Sequence, residues 1–435
     1  MNQDLPARQT AEVSNLPARA DVWAGPEPSP GRIWAERLLY GIRSLLLGML
    51  FVLSVPGALA FLGWVMRCTQ REVLRTWWKH AVHEGRSHAW EPFALGDQWT
   101  RDHVKRPRWF LVTRRREAGG PWARIRETAR WLFGSLVNNL KVGIQALFNV
   151  WVLTIPGCLL WLFAWYDGWN NSFNKGYEQA MVGPLTGILG VFLFMGAMLY
   201  VPLAQARQAA SGDWRCFYDF KLVWKISRRE WISCLGLAAL YSILTLPVMI
   251  LKTVPGFLTQ MRPDWESRSP AEAASWLQGY WFWSAMVLVP AYFLLRMAAA
   301  RIYARGILRG VRRGAIAEED LAPQEWTALH RLGLLTSGST PEPAWWIRAL
   351  AWVGTRVGSA AALALSLFLG FTLVAQIFIS EFFVYHPFVG WMNQPTIQLP
   401  YWGYRGAEII DSEIQNEARG DAATHETRDA GQPGD

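Results

Sequence analysis

Three of the seven histidines, His80, His83 and His88, fall within nine residues, with Glu84 among them and His103 nearby. On a helix His80 and His83 would share a face, and clustered imidazoles are the raw material of a zinc site. The pattern is HxxH, however, not the HExxH of metalloproteases. The surroundings are strongly cationic, which opposes a bound dication. The expectation is solvated histidines able to sense pH near neutrality, and no metal site. No Walker A loop, GxGxxG, GxSxG or pair of catalytic carboxylates appears. Gly306, Gly310 and Gly314 are four apart and interleaved with arginines, which does not make a phosphate loop. No catalytic residue and no cofactor is therefore expected. Cys68, Cys158, Cys216 and Cys234 form no CxxC pair and read as isolated thiols.

A second group of polar residues lies at helical spacing. Asn138, Lys141, Gln145 and Asn149 fall on one face, and the last three sit at i, i+4 and i+8. They enter an apolar stretch, where a polar stripe must face protein or a hydrated cavity. It is either part of a solute or ion path or hydrogen-bonded glue between helices, with glue the simpler reading. Basic stripes recur at the same spacing: Arg67, Arg71, Arg75 and Lys79, then Arg301, Arg305 and Arg309. Anionic lipid headgroups are their expected partner. Arg296, at the end of an apolar run, is expected to snorkel to the headgroups.

The elements that must position these residues are set by composition. Of the 435 residues, 51% are hydrophobic, 18% are charged and 27 are Trp. Residues 44–66, 142–166, 179–206, 231–251, 273–295 and 357–380 contain no Asp, Glu, Lys or Arg. A membrane-crossing helix needs roughly 20 apolar residues. The expected fold is therefore all-α, a polytopic membrane bundle of about six transmembrane helices. Several should be kinked, because Pro56, Pro156, Pro202, Pro247 and Pro290 interrupt five of the six segments. Intramembrane carboxylates are absent from all six, which weakens proton-coupled transport.

Charge orders the connections. Residues 67–141 hold 16 Lys+Arg against 7 Asp+Glu, which equals the net +9 of the whole chain. The later connections hold one, six, three and nine Lys+Arg, and none occurs between 381 and 404. By the positive-inside rule, 67–141, 207–230 and 296–356 lie inside and the C-terminus outside. The first segment fits poorly, since Arg32, Arg37 and Arg43 precede it. A full span is favoured on charge count, but Pro56-Gly57 also permits a re-entrant hairpin with both ends inside.

The organisation is then a disordered tail over 1–31, a first membrane segment over 32–66 and a basic cytoplasmic region over 67–141. A five-helix core over 142–380 follows, then an aromatic interfacial segment over 381–410 and an acidic disordered tail over 411–435. The hexapeptide Val52-Leu53-Ser54-Val55-Pro56-Gly57 is echoed by Val152-Leu153-Thr154-Ile155-Pro156-Gly157. That echo is either a trace of a repeat-built transporter or a shared kink signal. Gly354, Gly358, Ala362 and Ser366 form a small-residue ridge for close helix packing. The expected setting is a bacterial inner membrane. Expected partners are anionic lipid and a membrane protein or a second copy, and no nucleic acid. The function these features suggest is an accessory or scaffold subunit. A transporter with broken helices is the alternative, and a lipid-acting enzyme a more distant one.

Overall fold

The computed structural model describes residues 30–82, 99, 121–171, 182–257, 268–335 and 345–383. Among these there are nine α-helices and no strand. They are α1 (Pro30–Phe51), α2 (Val55–Val82), α3 (Pro121–Asn171), α4 (Val182–Ser211), α5 (Phe220–Arg229), α6 (Trp231–Thr253), α7 (Pro270–Arg312), α8 (Pro323–Arg331) and α9 (Trp345–Phe383). An all-α bundle is what an apolar solvent requires, because a helix satisfies its backbone polar groups internally. Four helical stretches are long and apolar enough to cross a membrane: Phe133–Leu160, Leu185–Ser211, Ala271–Arg312 and Trp345–Gly370. Trp231–Leu244 and Leu38–Phe51 are two shorter apolar helical stretches among the described residues.

The first segment is where the fold departs most from expectation. It is not one straight helix. The chain breaks between Phe51 and Val55 and folds back on itself. Gly48 packs beside Phe61 and Val289, and Tyr40 lies against Trp64 and Cys68. These pairings place α1 antiparallel to α2. Ser54 makes the turn: its Oγ accepts from the Gly57 N–H at 3.2 Å, which caps the start of α2. Pro56 then sits in the first turn, where a missing N–H costs nothing. Gly57 is required because a Cβ there would lie 2.1 Å from the Phe51 carbonyl oxygen. The hairpin also brings Arg43 of α1 to the same end of the pair as Arg67 of α2.

The echoed hexapeptide has a different fate in α3. Thr154 Oγ1 donates back to the Val150 carbonyl at 2.9 Å, and the helix runs through Pro156 unbroken. Gly157 there packs against the α4 backbone at Gly190 and Phe194. One hexapeptide thus closes a hairpin in one place and eases a helix past proline in the other.

Helix α7 runs beside α2 in the same direction. Trp64 stacks on Phe293, Glu72 pairs with Arg301, and Trp77 Nε1 donates to the Ala304 carbonyl at 2.9 Å. Helices α6 and α9 also run in parallel, with Gly358 under Trp231 and Ser242 Oγ donating to the Leu369 carbonyl. Gly358, Ala362 and Ser366 therefore pack inside the bundle, as their spacing predicts. Gly354 does not: nothing lies within 4 Å of its Cβ position, because α6 begins only at Trp231.

Candidate functional site

The largest core cluster gathers at one end of the bundle, where α2, α4 and α7 finish and α5 and α8 begin. Two short helices build the polar centre there. Asp219 caps α5 by accepting from the Leu222 N–H at 3.2 Å. Glu325, in the first turn of α8, accepts from the Ala322 N–H at 3.0 Å. Carboxylates at helix N-termini are favoured by the helix dipole. Both carboxylates then meet one guanidinium. Arg207 of α4 donates through Nη2 to Asp219 Oδ2 at 2.7 Å and to the Asp320 carbonyl at 3.0 Å. Through Nη1 it donates to Glu325 Oε2 at 3.2 Å and to the Tyr303 hydroxyl at 3.3 Å. Tyr303 of α7 in turn donates to Glu325 Oε1.

The Arg207 side chain is 4% exposed and that of Glu325 0%, so this is a buried ion pair with every carboxylate oxygen engaged. Burial pushes the Glu325 carboxyl above its usual range, opposed by Arg207, the Tyr303 hydroxyl and the Ala322 N–H. At the rim, a hydrogen bond from Lys225 holds Asp320 below the usual carboxylate range. The cluster ties α4, α5, α7 and α8 into one unit. Sequence reasoning missed it: its members lie up to 118 residues apart and share no motif.

Asn149 belongs to a neighbouring network. Its Nδ2 donates to Gln208 Oε1 at 3.2 Å and to the Trp214 carbonyl at 2.9 Å, and Tyr218 donates to its Oδ1 at 3.1 Å. It is 0% exposed, whereas Asn138 and Lys141 lie on the outside of α3 and Gln145 is half-buried. The four residues share a stripe on the helix but differ in burial along it. Replacing Asn149 by Leu leaves a carbonyl, a hydroxyl and an amide unpaired. The expected loss is about 2 kcal/mol in thermal unfolding. A cysteine at 149, with the four native cysteines replaced, should resist water-soluble thiol reagents. Rapid labelling there would mean a wet path instead.

The basic stripes also make contacts within the chain, with Arg301 and Arg309 remaining about half exposed. Glu72 accepts from Arg301 at 2.6 Å and pairs with Arg75 at 3.6 Å. Glu230 takes two bonds from Arg309 Nη1, at 2.7 and 2.9 Å. Arg305 Nε donates to the Arg301 carbonyl, and Arg67 is buried at 7% exposure. Arg71 is half-buried, and only Lys79 of the first stripe stands fully outward. The stripes thus fasten α7 to α2 and to the start of α6, a use that the spacing alone did not reveal. Arg296 does not snorkel: at 3% exposure it points into the bundle, with its guanidinium 5.0 Å from the centre of the Tyr292 ring.

His80 Nδ1 lies 2.8 Å from the Thr76 carbonyl. His83 and His88 fall outside the described residues. No group of three metal-ligating side chains occurs among the described residues. No protein-family model, no curated protein and no solved structure matches this chain.

Proposed function

We infer that the chain is a non-catalytic scaffold or accessory subunit of a membrane assembly, set in a bacterial inner membrane with the Arg207 end inside. One observation supports this reading: the Arg207, Asn149, Glu72 and Glu230 networks at that end hold helices to one another. Arg207, Glu325 and Tyr303 close on themselves, Asn149 is satisfied by α4 and the segment after it, and Glu72 and Glu230 hold α7. A transporter needs a polar face free to exchange partners, and Asn149 does not supply one.

The surface left over is apolar. Residues 345–357 of α9 precede the contact at Trp231, a length of about 20 Å. Trp345, Trp346, Leu350, Trp352 and Val357 are each more than half exposed there. In a candidate span such a face meets either lipid or a partner helix, and the scaffold reading assigns it to a partner. The test is site-specific photocrosslinking from position 350 in native membranes. A single protein adduct at 350, absent from a probe placed at lipid-facing Phe192, is the expected result. Lipid adducts alone at both positions, together with saturable thermal stabilisation by a small solute, would replace the scaffold with a carrier.

Sidedness has its own check. Alkaline phosphatase, active only outside, should work when fused at Tyr404 and fail when fused after Gly120. The opposite pair of outcomes overturns the orientation. With the α1–α2 hairpin, the N-terminus shares the inside with residues 67–141.

A further inference from the structure

Arg296 is a permanent cation inside a bundle of apolar helices, and no carboxylate among the described residues pairs with it. Its Nε and Nη1 are buried without a hydrogen-bond partner. Guanidinium does not shed its charge in proteins, so burial cannot be relieved by deprotonation. An uncompensated buried charge is among the most costly features a fold can carry. The buried carboxylates toward the end of the bundle are engaged elsewhere: Glu72 by Arg301 and Arg75, Glu230 by Arg309, and Glu325 by Arg207. What faces Arg296 is aromatic and hydroxylic. Tyr292, one turn before it, lies under the guanidinium, and Tyr241 of α6 is close enough to act on its charge. The Tyr292 hydroxyl is also buried without a partner.

Depth adds a second observation. Trp64–Phe293 and Glu72–Arg301 are both 229 residues apart. The same offset places Arg67 of α2 at the depth of Arg296. Arg67 too is buried, with Nε and Nη2 unpartnered. This depth is about 7.5 Å from the ion-paired rim at Arg301, or five residues of helix rise. Two guanidiniums at one depth, each with two buried nitrogens that lack an acceptor among the described residues, make a layer of unspent donors.

We propose that Arg296 and Tyr292 form a binding site for an oxyanion of the phosphate class, reached from the inner end of the bundle. A phosphate oxygen accepts from guanidinium and phenol donors together, and its charge is the one the site lacks. Free phosphate and the phosphodiester of an inner-leaflet lipid offer the same chemistry. This site is independent of the scaffold reading, since a scaffold and a carrier could equally hold it.

The test uses the full chain, purified in detergent and stripped of lipid. Inorganic phosphate and phosphatidylglycerol in mixed micelles are titrated separately, with chloride and phosphatidylcholine as controls. At least one probe should raise the Tm saturably. Stabilisation by phosphate identifies a soluble anion, and stabilisation by phosphatidylglycerol alone identifies a headgroup. Arg296→Gln and Tyr292→Phe should each weaken the responding probe by about tenfold or more. Arg296→Gln removes an unpaired charge and Tyr292→Phe keeps the ring, so neither should prevent folding. Arg309→Gln, at the rim, should respond as the wild type. The site is refuted if neither probe exceeds its control, or if Arg296→Gln and Tyr292→Phe both respond like the wild type.

Discussion

Replacing Arg207 by Leu is expected to destabilise the inner end of the bundle by about 3–5 kcal/mol, the cost of breaking a buried ion pair from one side. Three things happen together. Glu325, fully buried, loses its counter-charge. Asp219 loses the partner that holds its cap against α4. The Asp320 carbonyl loses a donor. Glu325→Leu should cost a similar amount, because it strands Arg207 and also uncaps the Ala322 N–H. Arg207→Lys should rescue little, since one ammonium cannot span four acceptors fixed for a planar fork. The double variant Arg207→Leu with Glu325→Leu should recover part of the loss, because no uncompensated charge remains at that pair. Denaturant or thermal unfolding in detergent reads all four. A loss below about 1 kcal/mol for either single variant would mean the network is decoration rather than the clamp of this end.

How much of this was legible in the sequence follows from which interactions are local. Uncharged runs of more than 20 residues announce a helical membrane bundle because the backbone has no other way to satisfy itself in lipid. The ridge at Gly358, Ala362 and Ser366 was legible for the same reason: four-residue spacing is a property of one helix. Gly354 continues that pattern but meets no partner, since where α6 begins is not written in α9. The hairpin at Ser54 was half legible. Ser-x-Pro-Gly reads as a helix start and Thr-x-Pro-Gly as a tolerated kink, yet the difference between Ser54 and Thr154 is one methyl group. What decides is context: Phe61 has Gly48 to fold against, whereas Gly157 has the α4 backbone.

The Arg207 cluster was illegible for the opposite reason. Asp219 and Glu325 each sit where a helix N-terminus wants a carboxylate, so α5 and α8 could have been found from them. Nothing in either stretch says that both point at one arginine on α4. Charge counting by connection meets a related limit. The spacing of Arg301 and Arg309 suggested lipid contact but could not reveal their acids, Glu72 and Glu230, which belong to distant parts of the chain. The same counting, which sums charge by connection, still groups the residues that the fold brings to one end.

The last expectation concerns backbone contact, where the effect of one methyl group should be largest. Gly63 of α2 and Gly143 of α3 cross face to face. A Cβ on Gly63 would lie 1.8 Å from the Asn139 carbonyl oxygen, and one on Gly143 would lie 1.9 Å from that of Leu59. Both obstacles are backbone, so no rotamer change can clear them. The helices would have to separate by more than 1 Å, roughly the shortfall from van der Waals contact. That separation opens a gap along the whole seam, so the cost should exceed the ~1–3 kcal/mol usual for overpacking. Gly63→Ala is therefore expected to lower the Tm steeply or prevent folding, and Gly143→Ala likewise. Gly134→Ala is the control: it lies in α3 too, nothing is within 4 Å of its Cβ position, and alanine should be neutral or gain up to about 1 kcal/mol there. The double variant should cost less than the sum of the two, because one separation of the helices makes room for both methyls. Gly63→Ala unfolding at or above the wild-type temperature would mean that α2 and α3 do not meet this closely. The α1–α2 hairpin would then lose the helix against which it is seated.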